Sequence, residues 1–441
     1  MTKIRYIFLD KLLWDPIKRY IQNNNSSVNS LTELKQFVGG ISQTTSNREI
    51  KDSTRKISDS ISSSLPVEKD GIITEFFTNT FKVLSNLLVN IDKHLTVNKL
   101  PERIIEPKTN SVMLFQRKFI ASIMFGAFLG LFPGQIFNSK TPGLCFQNFF
   151  GTSSASKHQV IAFMSYFNDV AIGISSNHEF VEQQVIFERH YSAPKDTLFF
   201  INSNEAIQPT ELVRGFMENY NPGGHVVEAI FGNKIVGSAT LSNVMHQEEI
   251  MMTTSPETLF ARIFHTNMGQ EDSLSFRGLL KYSSYKGYGT NNYRHIDVTS
   301  QERFRALGRI YTSFDAIPGN QGYTQFTTPY SLRELNKLVP GLCTDFYGET
   351  EVKQRSPFVG GYWGGGVFGG DIKYKFIIQM IASCVCRRAL AYADPDKHLN
   401  LQEIRRLEQK YTTCGRLAKA LFDAERAGRI SKGNAINVLL S

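Results

Sequence analysis

The chain has 441 residues, of which 41% are hydrophobic and 20% charged, with 33 Phe and 17 Tyr. This composition excludes a largely disordered or collagen-like chain and allows one large core or two to three modest ones. The formal charge of +9 suits a polyanionic partner, although so mild an excess more often serves solubility alone.

In chain order, the apolar start MTKIRYIFLDKLLWD is interrupted by Asp10 and Asp15, so it does not read as a secretory signal. Residues 22–64 are rich in Ser and include the run Asn23–Asn25, which predicts a flexible or weakly helical leader over 1–70. From Ile72 the apolar residues fall at helical spacing (Phe76, Phe77, Phe81, Leu84, Leu88, Ile91), predicting a helix that ends near His94. Pro101 and Pro107 mark a connection, and helices are expected over 112–132 and 156–168. The apolar run Phe119–Phe132 is too short to span a bilayer and suits a buried helix. A helical accessory domain over 71–182 follows from this pattern.

From Gln183 the texture changes to short β-rich runs at 183–187, 197–201, 225–231, 310–317 and 389–393, with helical stretches at 256–266 and 372–388. Alternating strands and helices over 183–441 predict an α/β domain. The basic bias of 401–441 reads as a solvated helical face. The five cysteines (Cys145, Cys343, Cys384, Cys386, Cys414) show no framework spacing and are expected to be reduced thiols of an intracellular protein. No His or Cys spacing of a metal site is present, so no metal is expected.

Two stretches carry chemistry. In WGGGVFGGD (363–371), Gly364, Gly366 and Gly369 satisfy G-x-G-x-x-G, Asp371 is a natural N-cap, and a helix and then a strand follow. The residues before the loop, VKQRSPFVG, make a poor buried parallel strand, and too little chain follows Asp394 for a dinucleotide-binding fold. The loop still suits an anion, because successive glycines bare backbone N–H groups at a helix start. Either a diphosphate cradle or a plain tight turn fits. The second stretch is the adjacent pair Glu248–Glu249, whose side chains must diverge on any regular backbone. Alone, such a pair most often marks a solvated helix start.

Together the pieces resemble the poly(ADP-ribose) glycohydrolase family. Gly237-Ser238-Ala239 is followed after seven residues by Gln247-Glu248-Glu249, in place of the family's glycine triplet and Gln-Glu-Glu. PETLFARIF (256–264), YSSYKGYG (282–289), FDAI (314–317), RELNK (333–337) and WGGGVFGGD follow in order, and LFPGQIF (131–137) and NFFG (148–151) extend the likeness upstream. The resemblance implies a macrodomain-like α/β/α sandwich with a mixed sheet, an N-terminal helical accessory domain, and hydrolysis of the ribose–ribose O-glycosidic bonds of poly(ADP-ribose). It makes Glu249 the general acid/base and Glu248 a ligand to ribose hydroxyls. Asn233 would hold the distal ribose, and Gly237 and Gln247 would also bind substrate. Tyr288 would stack on the adenine, Gly364, Gly365 and Gly366 would hold the diphosphate, Phe368 would pack on a ribose, and Glu218 would contact the adenine. It implies no cofactor, and a monomer in the nucleus or cytoplasm that acts on poly(ADP-ribose) and ADP-ribosylated proteins, without membrane or sequence-specific nucleic-acid binding. One departure stands out. Ser238 and Ala239 place two Cβ atoms where the family has glycine, which raises the alternative of an impaired macrodomain that binds ADP-ribose or serves a structural role.

Overall fold

A computed structural model describes residues 6–61, 71–133, 141–144, 146–151, 153–242, 244–318, 325–344 and 355–441. Its strands are β1 (Ser111–Gln116), β2 (Gln184–Tyr191), β3 (Thr210–Val213), β4 (Val226–Gly232), β5 (Asp272–Arg277), β6 (Ser284–Lys286), β7 (Arg294–Ile296), β8 (Arg309–Asp315), β9 (Arg355–Gly360) and β10 (Arg388–Ala393). Eight of them form one mixed sheet in the order β1-β2-β5-β8-β4-β9-β10-β3, and β6 pairs with β7 alone. β8, β4, β9, β10 and β3 run parallel, whereas β1, β2 and β5 join antiparallel.

The parallel centre is covered on both faces, as the unbroken burial of β8 shows. Val226, Val227 and Ala229 of β4 enter one core with the helices Thr328–Leu342, Ile372–Val385 and Cys414–Arg426. Ile230 of β4 and Tyr311 of β8 enter the other, beneath the helices of the N-terminal half. Among the described residues, no helix is long and apolar enough to cross a membrane.

Several expectations change. Residues 112–116 are strand rather than helix: β1 pairs in register with β2, and the helix begins only at Arg117. The run at 197–201 is one helical turn, because Asp196 Oδ1 caps the Phe199 N–H at 2.9 Å and no strand flanks it. RSPFVG is a parallel strand after all. Only its C-terminal half is buried, and the register slips near Pro357, where a missing N–H is tolerated. The Ser-rich leader holds three helices, Lys11–Asn24, Leu31–Thr44 and Arg48–Ile61. Their apolar residues recur at three- and four-residue steps and are buried (Leu34, Phe37, Val38, Ile41; Ile50, Ile57, Ile61). The intervening serines are small contacts, such as Ser58, whose hydroxyl donates to Lys35 O at 2.9 Å. Cys343 and Cys386 are joined in a disulfide, while Cys384 and Cys414 are free and Cys145 lies outside the described residues.

One ion pair ties the helical half to the sheet domain. Arg117, fully buried, reaches both Glu257 oxygens at 2.5 Å, Gly278 O at 2.7 Å and Phe180 O at 3.2 Å, while Tyr282 donates to Glu257 at 2.7 Å. Breaking such a pair strands a buried carboxylate. Arg117→Met is expected to lower unfolding free energy by about 3–5 kcal/mol, read by urea denaturation; a loss under about 1 kcal/mol would mean the pair is solvated.

Candidate functional site

The site begins where two parallel strands part. β4 and β9 pair only through Val227–Phe358 and Glu228–Val359, so the last residues of β4 lose their neighbour. Gln247 takes its place: its Oε1 accepts from Phe231 N–H at 2.7 Å and its Nε2 donates to Ala229 O at 3.1 Å. The predicted substrate residue Gln247 is thus bound to the sheet edge and fixes the helix Gln247–Thr254 beside the opening. Loops leaving the C-terminal ends of β4, β8 and β9 meet here, the usual place for a ligand in an open parallel sheet.

The adjacent acids separate as their spacing on a helix demands. Glu248, 3% exposed, turns to the loop after β4, where its oxygens accept from Gly237 N–H at 2.7 Å and Asn233 N–H at 3.2 Å. Burial first, and then the neighbouring Glu249 charge, push its carboxyl up to about 8, against the two amides, which favour the carboxylate. Glu249, 5% exposed, makes only local bonds, accepting from His246 N–H at 3.1 Å at the start of its own helix. Burial raises its pKa as well. Both acids are therefore biased toward holding a proton.

Asn233 folds back through an Asx turn, its Oδ1 accepting from Ile235 N–H at 3.1 Å. Gly237 is required where it stands: φ is +62°, and a Cβ would lie 2.6 Å from Leu259 and 2.7 Å from Met252. Ser238 and Ala239 are different. Neither has a positive φ, and both continue the turn, with Ser238 N–H donating to Ile235 O at 3.0 Å and Ala239 O accepting from Ser242 N–H at 2.9 Å. Their Cβ atoms impose no backbone strain, contrary to the concern their identity raises.

The glycine loop lies across the gap, between β9 and the helix Ile372–Val385, capped by Asp371 Oδ1 on Tyr374 N–H at 2.8 Å. Gly361 at its start sits beside the Phe231 ring, and Gly364, at φ +70°, backs onto Ala316 after β8. Internal bonds run from Gly365 N–H to Tyr362 O (2.8 Å), Gly369 N–H to Gly366 O (2.9 Å) and Gly370 N–H to Gly364 O (2.8 Å). Among the described residues, the N–H groups of Gly366, Val367 and Phe368 have no partner. Three consecutive amides without a protein partner are a candidate place for an anion. The half-buried Phe368 packs on the core beside them.

On the helix Gln247–Thr254 side stands an aromatic wall. Tyr288, 40% exposed, lies parallel to the exposed Phe216 at 6.2 Å between centroids, and 6.1 Å from the His246 ring. Burial pushes the Tyr288 hydroxyl up to about 12. Glu218 accepts from the Tyr285 hydroxyl and acts with Glu249 on Tyr288 electrostatically. The structure thus brings Glu218, Tyr288 and Glu249 to one wall.

Comparison with known proteins matches residues 71–189 to the helical domain of poly(ADP-ribose) glycohydrolase and residues 202–400 to its macro domain fold. The chain belongs to the poly(ADP-ribose) glycohydrolase family. It is 30% identical over 205 residues to poly(ADP-ribose) glycohydrolase 1 of Caenorhabditis elegans, covering 42% of this chain and 26% of that one. It is 30% identical over 177 residues to the second C. elegans enzyme of that name, covering 37% and 36%. With poly(ADP-ribose) glycohydrolase 1 of Arabidopsis thaliana it shares 23% over 375 residues, covering 68% and 66%. The chain thus spans about a quarter to two thirds of the length of these relatives.

The family's other fragments prove to be supports of the site. In PETLFARIF, Glu257 pairs with Arg117, Leu259 packs on Gly237, and Arg262 Nη1 donates to Val236 O at 2.8 Å. In FDAI and RELNK, Arg333 bonds Asp315 at 2.7 Å and Glu334 accepts from Ile317 N–H at 2.8 Å. Asp394, just after β10, accepts from Tyr362 OH at 2.5 Å and Arg214 at 2.6 Å as a structural anchor. Sequence reasoning missed Lys375, buried under the glycine loop, and Phe216. Lys375 had a signal, a lysine in the first turn of a helix that follows the loop. The geometry of the triplet yields a test: since Ser238 and Ala239 are unstrained, Ser238→Gly with Ala239→Gly is expected to lower stability by about 1–2 kcal/mol through unfolded-chain entropy. A gain in melting temperature would reveal strain.

Proposed function

We propose that this family member hydrolyses the ribose–ribose O-glycosidic bonds of poly(ADP-ribose), releasing ADP-ribose. The observation that carries the reading is the division between the adjacent acids: Glu248 is bound to two backbone amides of the turn, whereas Glu249 bonds only within its own helix start. One acid is committed to shape and the other is available for proton transfer.

In this reading the adenine rests on Tyr288 with Glu218 near its edge, and the diphosphate takes the free amides of Gly366, Val367 and Phe368. The riboses pass Phe368, Asn233 and the remaining lone pairs of Glu248. Glu249, biased toward the protonated form by burial, gives its proton to the leaving ribose oxygen as the anomeric C–O bond breaks and positive charge develops on the sugar. Water then attacks the anomeric carbon, and the Glu249 carboxylate takes the proton that water loses, which restores the acid. The diphosphate near the oxocarbenium-like centre offsets its charge. A pair of carboxylates flanking the bond, as in ordinary glycosidases, is not needed when a single acid serves both half-steps.

Within this proposal, 71–182 is the accessory domain and 183–441 the catalytic domain. The protein acts as a monomer inside the cell, in the nucleus or cytoplasm, on poly(ADP-ribose) chains and the proteins that bear them.

Purified protein incubated with automodified poly(ADP-ribose) and followed by gel is expected to shorten the polymer. Glu249→Gln should reduce the rate by about 10²–10⁴ while ADP-ribose affinity stays within a few-fold; a variant above a tenth of wild-type rate removes Glu249 from the role. The loop gives a second test. At Gly366 a Cβ would meet no atom within 4 Å and φ is not positive, so the fold does not need glycine there. Gly366→Val should leave the melting temperature unchanged yet weaken ADP-ribose about tenfold or more, the scale of losing charge-assisted hydrogen bonds. Unchanged affinity by calorimetry would make the loop a turn only.

A further inference from the structure

Beneath the glycine loop lies a charge that the loop's own sequence does not contain. Lys375, in the first turn of the helix Ile372–Val385, is fully buried. Its ammonium sits 4.3 Å from the centroid of the Trp363 ring and 5.1 Å from that of Tyr330, and it donates to Glu334. A Cβ at Gly364 would stand 3.3 Å from Lys375 Nζ, and one at Gly370 3.3 Å from Cε. The lysine therefore lies against the loop at Gly364 and Gly370, while Gly366 and Val367 at its tip are exposed and, with Phe368, have no N–H partner among the described residues.

The lysine ends a buried chain of charges. Glu334 also meets Arg333 at 3.0 Å, and Arg333 meets Asp315 at 2.7 Å. Asp315 bonds Lys337, which lies 4.0 Å from Asp272, itself 3.0 Å from Arg189. With every group ionised, four cations face three carboxylates, which leaves one positive charge in excess. Burial lowers the Lys375 pKa, and the Glu334 carboxylate in hydrogen-bond contact, together with the ring faces of Trp363 and Tyr330, opposes that shift in favour of the ammonium form. Buried charge is desolvated and little screened by salt, so its field reaches further than that of an exposed lysine. Burying it costs more than a hydrophobic side chain of like size would, so stability does not account for its presence.

We propose that Lys375 is the counter-charge of the diphosphate, a positioning residue that acts through the loop without touching the ligand. The proposal rests on the ADP-ribose reading above and adds the source of the loop's positive potential. It makes Glu334 the element that tempers that potential.

The test compares the purified full chain with Lys375→Met, Lys375→Arg and Glu334→Gln, using inorganic pyrophosphate and ADP-ribose by calorimetry and adenosine by saturation-transfer NMR. Lys375→Met should weaken both phosphate ligands about tenfold, the scale of one charge at about 10 Å in a medium of effective dielectric about 20. Adenosine should be unaffected, and Lys375→Arg should keep most of the affinity. Glu334→Gln, which retains a carbonyl for the Ile317 N–H, should tighten both phosphate ligands several-fold. A merely structural role would weaken every variant alike, adenosine included. Equal binding in wild type and Lys375→Met, or weaker binding in Glu334→Gln, overturns the proposal; Glu334→Gln and Lys375→Arg decide it if Lys375→Met fails to fold. Charge-dependent binding of pyrophosphate without ADP-ribose would sink the functional reading and leave this inference standing. ADP-ribose binding indifferent to both residues would do the reverse.

Discussion

The site depends on the early end of one hydrogen-bond ladder. Parallel strands buried on both faces leave no backbone amide for a ligand, so the sheet must open for its loops to become a binding surface. β4 and β9 part after two residue pairs, and the amide of Gln247 answers the edge of β4 that the parting exposes. One side chain thus satisfies the backbone and seats the helix that bears Glu248 and Glu249. The gap left between the strands is then bounded by the Asn233–Gly237 turn on one side and the glycine loop on the other.

Two of the buried charge groups around this opening serve two different purposes. The Arg117–Glu257 pair joins the helical half to the short helix Pro256–Ile263 that backs the Gly237 turn. The chain from Arg189 to Lys375 joins β2, β5 and β8 to the floor of the glycine loop. Neither is an efficient way to gain stability, because desolvation offsets most of the attraction. What such pairs supply is angular definition, since bidentate and branched hydrogen bonds fix orientation where apolar packing tolerates slippage. Both wall and floor of the site are held in this way.

Much of this was legible in residues whose chemistry is local. The Asp371 cap, the helix after it, the buried runs at β4, β8 and β10, and the divergence of two adjacent acids all follow from spacing within about ten residues. Elements that depend on a distant partner were not. β1 looked like the start of a helix because its pairing with β2 lies some seventy residues away in sequence. RSPFVG looked too polar for a strand because only three of its residues face the core. The leader's serines hid helices whose contacts are with one another and with the Phe-rich core. Lys375 could be placed in the first turn after the loop, but its enclosure by Trp363, Tyr330 and Glu334 depends on partners brought in by the fold.

The glycines show how such a structure can separate fold from function. At Gly237, Gly364 and Gly370 a side chain would collide or the backbone angle forbids it, so glycine there follows from the fold whether or not anything binds. At Gly366 neither reason applies, yet its own N–H and those of Val367 and Phe368 have no partner among the described residues. Glycine in an exposed loop with ordinary φ and open space costs conformational entropy on folding without any gain in packing. That cost is explained if the open space is occupied when a ligand's oxygens approach the backbone closely. The Ser238–Ala239 departure obeys the same logic from the other direction: side chains stand there because the backbone, without a positive φ, permits them.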